Sequence, residues 1–79
     1  MTHVTIHLGS ATPHYYDIVR RHRSQANAQT FAAAQNAATA RRYQNAYQCY
    51  EAVEIDGDGR VFRGGVADLA TDGFHRIAR

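Results

Sequence analysis

The sequence contains no lysine, only one cysteine and one proline, and no long hydrophobic run. A single cysteine excludes an internal disulfide and favours a reducing compartment. The scarcity of proline and a hydrophobic fraction of 44% argue against intrinsic disorder. No segment approaches the roughly 18 apolar residues that a membrane span needs, and the N-terminal MTHVTIHL is too short and too polar for a signal peptide. We therefore expect a cytoplasmic protein that does not bind a membrane.

The sequence also lacks the motifs that carry common enzyme chemistry. No nucleophile elbow, phosphate-binding loop or set of residues with metal-ligand spacing occurs in the 79 residues. A chain this short, with regular secondary structure and no reactive constellation, most often acts by presenting a surface. We therefore predict a binding protein with no enzymatic activity, no metal and no cofactor.

Chain length and charge distribution bear on what such a protein needs. Its 79 residues fit one small α+β domain spanning 1–79. A domain of this size buries only about 60–65% of its unfolded surface, so a partner or a second copy would add stability. The net charge of +2 divides into +4 over residues 1–45 and −2 over residues 46–79. This asymmetry predicts one basic region and one acidic region.

The N-terminal half predicts a strand followed by two helices. Residues 3–8 alternate between apolar and polar side chains, which is typical of a half-buried strand. Thr12 and Pro13 then form a helix start, with threonine as the cap. Four apolar or aromatic residues follow at helical spacing: Tyr15, Ile18, Val19 and His22. Thr30 is the predicted cap of a second, alanine-rich helix.

One side of that second helix is predicted to be buried against a sheet. On a helical wheel, one arc collects small or apolar residues: Phe31, Ala33, Ala34, Ala37, Ala38 and Ala40. Because alanine side chains are small, burying this arc would bring the helix backbone close to the sheet.

The C-terminal half predicts a hairpin and a last helix. Residues 49–55 and 60–66 flank the turn sequence Asp-Gly-Asp-Gly at 56–59, a strong short-range hairpin signal. A final helix is predicted to begin at Asp68. The resulting order, β-α-α-β-β-α, describes an α+β fold in which a three-stranded antiparallel sheet packs with two to three helices.

Two charged surfaces are candidate binding sites. The hairpin carries four carboxylates: Glu51, Glu54, Asp56 and Asp58. Carboxylates on a rigid hairpin can occupy a basic nucleic-acid-binding groove. More often, such residues only keep the edge of a sheet exposed to solvent and bind no partner. The alternative is a basic face formed by Arg20, Arg21, Arg23, Arg41 and Arg42. With Tyr15, Tyr16, Tyr43 and Tyr47 nearby for stacking, this face could bind nucleic acid, although a solvated helix surface is the more common outcome.

The turn at residues 54–61 and the histidines are considered as metal ligands, but the sequence favours a structure without a metal. Residues 54–61 match several positions of a calcium-binding EF-hand loop, but Gly65 stands where the loop requires a bidentate glutamate. His3 and His7 share one face of the first strand but lie about 13 Å apart along it, too far for one ion. A plain turn and histidines without a metal are the expected outcome.

Cys49, the only thiol, is the candidate dimer contact. In the predicted strand, Cys49 lies on the same face as Val53 and Ile55, which favours a small buried side chain. It also stands at the start of that strand, near the edge of a thin core, where an exposed thiol would pair with its copy. We predict a homodimer fraction crosslinked through Cys49 under oxidising conditions, visible on a non-reducing gel and absent from Cys49→Ser.

The run AQTFAAAQNAATARRYQNAYQCYEAVEIDGDGRVFRGG resembles the helix-then-hairpin layout of small anti-CRISPR proteins from phages and mobile elements. Arginine without lysine indicates a GC-rich coding sequence, and the chain is most similar to inhibitors of type I-C systems in GC-rich proteobacteria. The resemblance covers size and layout and transfers no functional residue. It implies a non-enzymatic inhibitor that binds the host Cascade complex and blocks target DNA recognition or nuclease recruitment. The alternative is a small phage-encoded nucleic-acid-binding or regulatory protein that uses its arginine-rich faces.

Overall fold

The computed structural model describes residues 1–8, 15–42, 49–71 and 73–77. In these ranges the chain forms one helix and eight strands. In chain order they are β1 (Thr2–His7), β2 (Tyr15–His22), α1 (Gln25–Arg42), β3 (Tyr50–Ile55), β4 (Val61–Arg63), β5 (Val66–Ala67), β6 (Leu69–Ala70), β7 (Gly73–Phe74) and β8 (Arg76–Ile77).

Six of the strands form one mixed sheet in the order β5-β4-β3-β1-β2-β8, and β6 and β7 form a separate two-stranded ribbon. Strand β1 lies at the centre and pairs antiparallel with β2 on one side and with β3 on the other. Strand β8 pairs parallel with the first residues of β2. α1 covers the face of the sheet that carries Thr5, whose hydroxyl donates to the carbonyl of Ala28 at 3.4 Å.

The sheet curls until its two ends meet at β8. While β8 pairs with β2 on one side, the amide of Ile77 donates to the carbonyl of Gly59 at 2.9 Å on the other. The amide of Val61 likewise donates to the carbonyl of His75 at 3.0 Å. Strand β8 therefore joins β2 to the start of β4, and the curled sheet encloses its own core.

That core is small and aliphatic. It consists of Val4, Ile6, Val53, Ile55 and Val61, each no more than 5% exposed. Leu8, Tyr16, Ile18 and Ile77 pack against it from the rim. Alternation along β1 places Val4 and Ile6 in this core and Thr5 under the helix, so the predicted first strand is confirmed. The predicted hairpin is confirmed as well, because β3 pairs with β4 through Ile55 and Val61.

The predicted fold class is wrong. We expected a three-stranded antiparallel sheet with two to three helices, whereas the described residues contain one helix and a six-stranded mixed sheet. The difference arises in two segments that were predicted to be helical and form strands. Both segments hydrogen-bond to strands that are distant in sequence, which helical periodicity does not reveal.

The first of these segments is β2. Its predicted helical stripe also fits a strand, because Tyr16 and Ile18 alternate toward the core while Asp17 faces outward. Aromatic and β-branched residues favour strands, and β1 supplies the hydrogen-bonding partner over five paired positions. The register of this pairing shifts between the partners of Thr5 and Ile6, which leaves Val19 as a bulge. The predicted start at Thr12 and Pro13 lies outside the described residues.

The second segment follows Asp68. Instead of a helix, the chain forms β6, β7 and β8, with Gly73 at a φ of 138° that a residue with a side chain rarely adopts. Strand β8 then gains hydrogen bonds from both β2 and the start of β4, which no isolated helix in this segment would obtain.

Helix α1 begins earlier than predicted. Its cap is Ser24, whose Oγ accepts a hydrogen bond from the amide of Asn27 at 3.1 Å, so the predicted cap Thr30 lies inside the helix. The buried side is also different, since Ala28 and Ala32 face the sheet while Ala33 and Ala37 are exposed. Only two helical residues are fully buried, which makes α1 a thin cover rather than a second core.

Candidate functional site

An open groove lies between the outer edge of β2 and the turn that joins β3 to β4. Its volume of about 540 Å³ falls in the range of roughly 300–1,000 Å³ found for ligand pockets. We call it the mouth groove, because it opens beside the point where β8 closes the curled sheet. Its lining consists of the turn residues 56–59 together with three isoleucines and three polar residues: Ile18, Ile55, Ile77, Thr2, Asp17 and Arg21.

The turn that forms one wall of the mouth groove is held by Asp56. Its Oδ1 accepts hydrogen bonds from the amides of Asp58 and Arg60, both at 2.9 Å. The bond from the Arg60 amide is the main reason that the pKa of Asp56 lies below its ordinary value. Gly59 has a φ of 79°, which favours glycine at this position. Asp56 is therefore a structural residue of the turn, whose carboxylate keeps this wall in place.

Three charged residues beside the mouth groove have fewer internal contacts. Two of them lie on opposite faces of β2, since Asp17 pairs with His7 on the helix-covered side and Arg21 pairs with Val4 on the core side. Within the described ranges, the carboxylate of Asp17 and the guanidinium of Arg21 have no ion-pair or hydrogen-bond partner. Across the groove, the side chain of Asp58 is 70% exposed and lies 3.8 Å from Arg60. An exposed pair at this distance contributes little stability. Among the described residues, Arg21 and Asp58 are thus the charged side chains on the groove side that remain able to contact another molecule.

A second polar cluster connects the sheet interior with the C-terminal strands. We call it the Arg63 network; it consists of Glu51, Arg63, Asp68, His75 and Tyr16. Arg63 donates from Nε and Nη2 to the two carboxylate oxygens of Glu51, both at 2.7 Å, and its Nη1 contacts Asp68. Two parallel bonds of this kind are the strongest arrangement of an arginine and a carboxylate.

Asp68 is the acceptor at the other end of the network. Its Oδ2 lies 2.7 Å from Nδ1 of His75 and accepts from the hydroxyl of Tyr16 at 3.2 Å. The rings of Tyr16 and His75 pack edge to face with centroids 5.1 Å apart. These contacts tie β2, β4 and the segments before β6 and β8 to one another.

Protonation in the network follows from burial and hydrogen bonding. Burial alone would raise the pKa of Asp68, but the hydrogen bonds from His75 and Arg63 outweigh it and hold this pKa below its ordinary value. Burial raises the pKa of Tyr16. The hydrogen bonds to Glu51 hold the pKa of Arg63 above its usual range. Asp68 is therefore ionised and Tyr16 neutral at neutral pH, so the tyrosine hydroxyl is a donor.

The four predicted acidic site residues do not share one surface. Glu51 is paired with Ile6 across β1 and β3, on the core side of the sheet, and is bound by Arg63. Glu54 is paired with His3 on the opposite, helix-covered side. Asp56 and Asp58 alone lie together, at the mouth groove.

The predicted basic face is divided as well. Arg20 lies on the helix side, with its guanidinium carbon 5.3 Å from the ring centre of Phe31. Arg21 lines the mouth groove, whereas Arg41 and Arg42 end the helix, which is 18 residues long. Arg23 is exposed in the connection before the helix. Since an α-helix rises about 1.5 Å per residue, the arginines that precede α1 are separated from Arg41 and Arg42 by the length of the helix. Tyr43 and Tyr47 lie outside the described residues.

Cys49 is partly buried just before β3. Its amide donates to Oδ1 of Asn36 at 3.0 Å, and its carbonyl accepts from the amide of Leu8 at 2.7 Å. Asn36 also bonds the amide and the carbonyl of Tyr50, so it fastens the start of β3 to the helix. The backbone at Cys49 is therefore fixed, and the oxidative dimer remains a prediction.

The histidines gain neighbours that the sequence did not reveal. His3 stands opposite His22 on β2 and opposite Glu54 on β3. Nε2 of His22 lies 2.9 Å from the Thr5 hydroxyl. The pKa of His22 is lowered, mainly by burial and to a lesser extent by the nearby positive charge of Arg20. Among the described residues, no three histidine, cysteine, aspartate or glutamate side chains are arranged to hold a metal ion.

Sequence reasoning did not identify the mouth groove or the Arg63 network. The network unites residues separated by up to 59 positions, as between Tyr16 and His75, and no local pattern signals such a contact. Asp17 was predicted to lie in a helix, so its position on β2 beside the groove was not recognised. In the described ranges, no helix is long and apolar enough to cross a membrane. No protein family, curated protein or solved structure matches the chain.

Proposed function

We propose that this chain is a non-enzymatic binding protein that inhibits a type I-C CRISPR system by binding the Cascade complex in the host cytoplasm. The observation that carries the proposal of a binding protein is the mouth groove. It combines three isoleucines with the exposed charges of Arg21 and Asp58. Because five of its ten lining residues are polar or charged and three are apolar, the groove suits a partner that offers charged and polar groups.

The state of the other reactive side chains supports binding without chemistry. Glu51, Arg63 and Asp68 are engaged with one another, and Asp68 also accepts from Tyr16 and contacts His75. Such mutual bonding is what a structural network requires, since it holds strands of the curled sheet together. At the mouth groove, by contrast, Arg21 and Asp58 are left for contact with a partner.

Two features support Cascade as the partner. The helix-then-hairpin order behind the resemblance is present as α1 followed by β3 and β4. The hairpin tip also presents Asp58 with 70% of its side chain exposed, and a carboxylate there can approach a basic DNA-binding surface. Direct nucleic-acid binding gains less support, because the five arginines do not form one continuous face.

Co-elution with purified type I-C Cascade tests the proposal. We expect one species in size-exclusion chromatography and reduced binding of fluorescent target DNA by that species. Asp58→Arg should weaken both effects through repulsion, whereas a control carrying Gln29→Arg and Ala33→Arg adds the same charge on the exposed side of α1. Asp56 is unsuitable for this test because it holds the turn.

Two outcomes would contradict the proposal. Separate elution at micromolar concentrations, with DNA binding unchanged, would exclude Cascade as the partner. Binding of the isolated protein to DNA, lost when Arg20, Arg21 and Arg23 are changed to glutamate, would instead favour the nucleic-acid-binding alternative.

A further inference from the structure

The mouth groove carries opposite charges on two different walls. Arg21 lies on the core side of β2, where it pairs with Val4 of β1. Asp58 belongs to the turn that follows Ile55 at the end of β3. Because β1 lies between β2 and β3, these two strands are about 10 Å apart across the sheet. Arg21 and Asp58 therefore line one groove, and among the described residues they form no ion pair with each other.

We propose that the mouth groove binds the carboxyl-terminal end of a partner chain whose last residue is lysine, with the terminal carboxylate at Arg21 and the lysine ammonium group at Asp58. This inference rests on the proposed function as a binding protein and names the chemistry that its groove takes. Such a chain end carries both charges on one residue, where the apolar methylene groups of the side chain separate them.

Arg21 supplies the site for the terminal carboxylate. The residue is exposed, and its guanidinium has no ion-pair or hydrogen-bond partner within the described ranges. A guanidinium can donate two parallel hydrogen bonds to one carboxylate, which is the strongest pairing of these two groups. The free carboxyl end of a chain is therefore the group that this wall recognises.

The turn supplies the site for the ammonium group. The side chain of Asp58 is 70% exposed and lies 3.8 Å from Arg60. Arg60 also lies 3.9 Å from Asp56, so two carboxylates share one guanidinium and the turn keeps an excess of negative charge. Both distances are too long for a hydrogen bond. An ammonium group at Asp58 therefore meets a carboxylate that the described side chains leave without a hydrogen bond.

The rest of the lining explains why both charges belong to one extended residue of a chain. Ile18, Ile55 and Ile77 line the groove, and a lysine side chain packs its methylene groups on apolar surface while its charged end stays in water. Pockets for small molecules enclose about 70–90% of their ligand, whereas this groove is open to solvent. An open groove leaves room for the residues that precede the terminal lysine, so it suits a chain end.

The direct test titrates an acetylated dipeptide, glycine followed by lysine with a free carboxyl end, into the ¹⁵N-labelled protein. We expect saturable chemical-shift changes at Gly57 and Gly59 in the turn and at Ile18 and Arg21 on β2. The Kd should be on the order of a few millimolar, because so small a group supplies limited binding energy. Amidation of the carboxyl end and replacement of lysine by norleucine should each weaken binding about two- to five-fold, the range for one exposed charge pair.

Matched variants assign each preference to one residue. Arg21→Gln should remove the preference for the free carboxylate over the amide, and Asp58→Asn should remove the preference for lysine over norleucine. Each variant should keep the other preference, which also shows that it is folded. The controls are Arg23→Gln, in the connection before α1, and Asp17→Asn, on the helix-covered side of β2. They remove the same charges away from the groove side and should keep both preferences.

Several results would overturn the inference. One is a titration without saturable shifts at peptide concentrations well above the expected Kd, and another is shifts centred on α1. Binding of the amide or the norleucine peptide as tightly as the lysine peptide, or loss of the preferences in the control variants, would contradict it equally. Tighter binding of ω-aminohexanoate, a free molecule with the same two charges, would assign the groove to a small molecule and refute the chain end.

The peptide titration separates this inference from the proposed partner. If the chain co-elutes with Cascade and the lysine peptide does not bind, the groove assignment is wrong and the proposed function stands. If the peptide binds at the groove with both preferences and the chain does not co-elute with Cascade, the groove assignment stands and the proposed function fails.

Discussion

Arg63→Met is the most informative test of how the curled sheet is held together. Methionine keeps much of the apolar stem and removes the guanidinium, which donates two 2.7 Å bonds to Glu51 and contacts Asp68. The substitution therefore leaves two carboxylates near each other without the cation between them. Asp68 is the more deeply placed of the two, with 16% of its side chain exposed.

The expected loss follows from these contacts. A hydrogen bond to a charged group contributes about 1.5–3 kcal/mol when it is buried. The side chains of Arg63 and Glu51 are 34% and 35% exposed, so solvent screening reduces each contribution. We expect a destabilisation of about 2 kcal/mol for the whole network. In a domain of this length, that loss lowers Tm by roughly 8–16 °C.

Circular dichroism during thermal and urea unfolding measures the effect. Arg41→Met is the matched control, because Arg41 is exposed and, among the described residues, bonds only a carbonyl of its own helix. Its effect should stay within about 0.5 kcal/mol. Adding Glu51→Gln completes a double-mutant cycle, in which a coupling of about 1 kcal/mol is expected. Stability of Arg63→Met equal to that of the control, or additive effects in the cycle, would refute the role assigned to the network.

Two further predictions test the helix start and the acid response. Ser24→Ala should destabilise the protein by about 1 kcal/mol, whereas Thr30→Ala should be neutral or slightly stabilising because alanine is the better helix former; equal losses in thermal unfolding would contradict the observed start. Since His75 and Arg63 hold the pKa of Asp68 below its ordinary value of 3.8, the stability that Asp68 contributes is present above that value and is lost as the pH falls below it. Asp68→Asn should flatten this decline in urea midpoints between about pH 5 and pH 2, and an unchanged slope would assign it to other carboxylates.

The sequence by itself determined the elements whose signals are local. The alternation of residues 3–8 predicted β1, because a strand with one face in the core must repeat every second residue. The Asp-Gly-Asp-Gly turn predicted the β3–β4 hairpin, because Asp56 and Gly59 form that turn from neighbouring residues. The alanine-rich run predicted a helix, although not its first residue or its buried side.

Only the tertiary structure decided the remaining elements. In β2, Tyr15, Ile18 and Val19 suit a helix or a strand, and pairing with β1 selects the strand. The last strands form because β8 hydrogen-bonds on both sides. One partner is β2, about 60 residues earlier in the chain, and the other is the start of β4, about 17 residues earlier. The mouth groove and the Arg63 network lie between such distant segments, and their geometry depends on how the sheet curls. A local pattern records which face of an element is apolar, but it carries no information about which distant backbone will supply the hydrogen bonds.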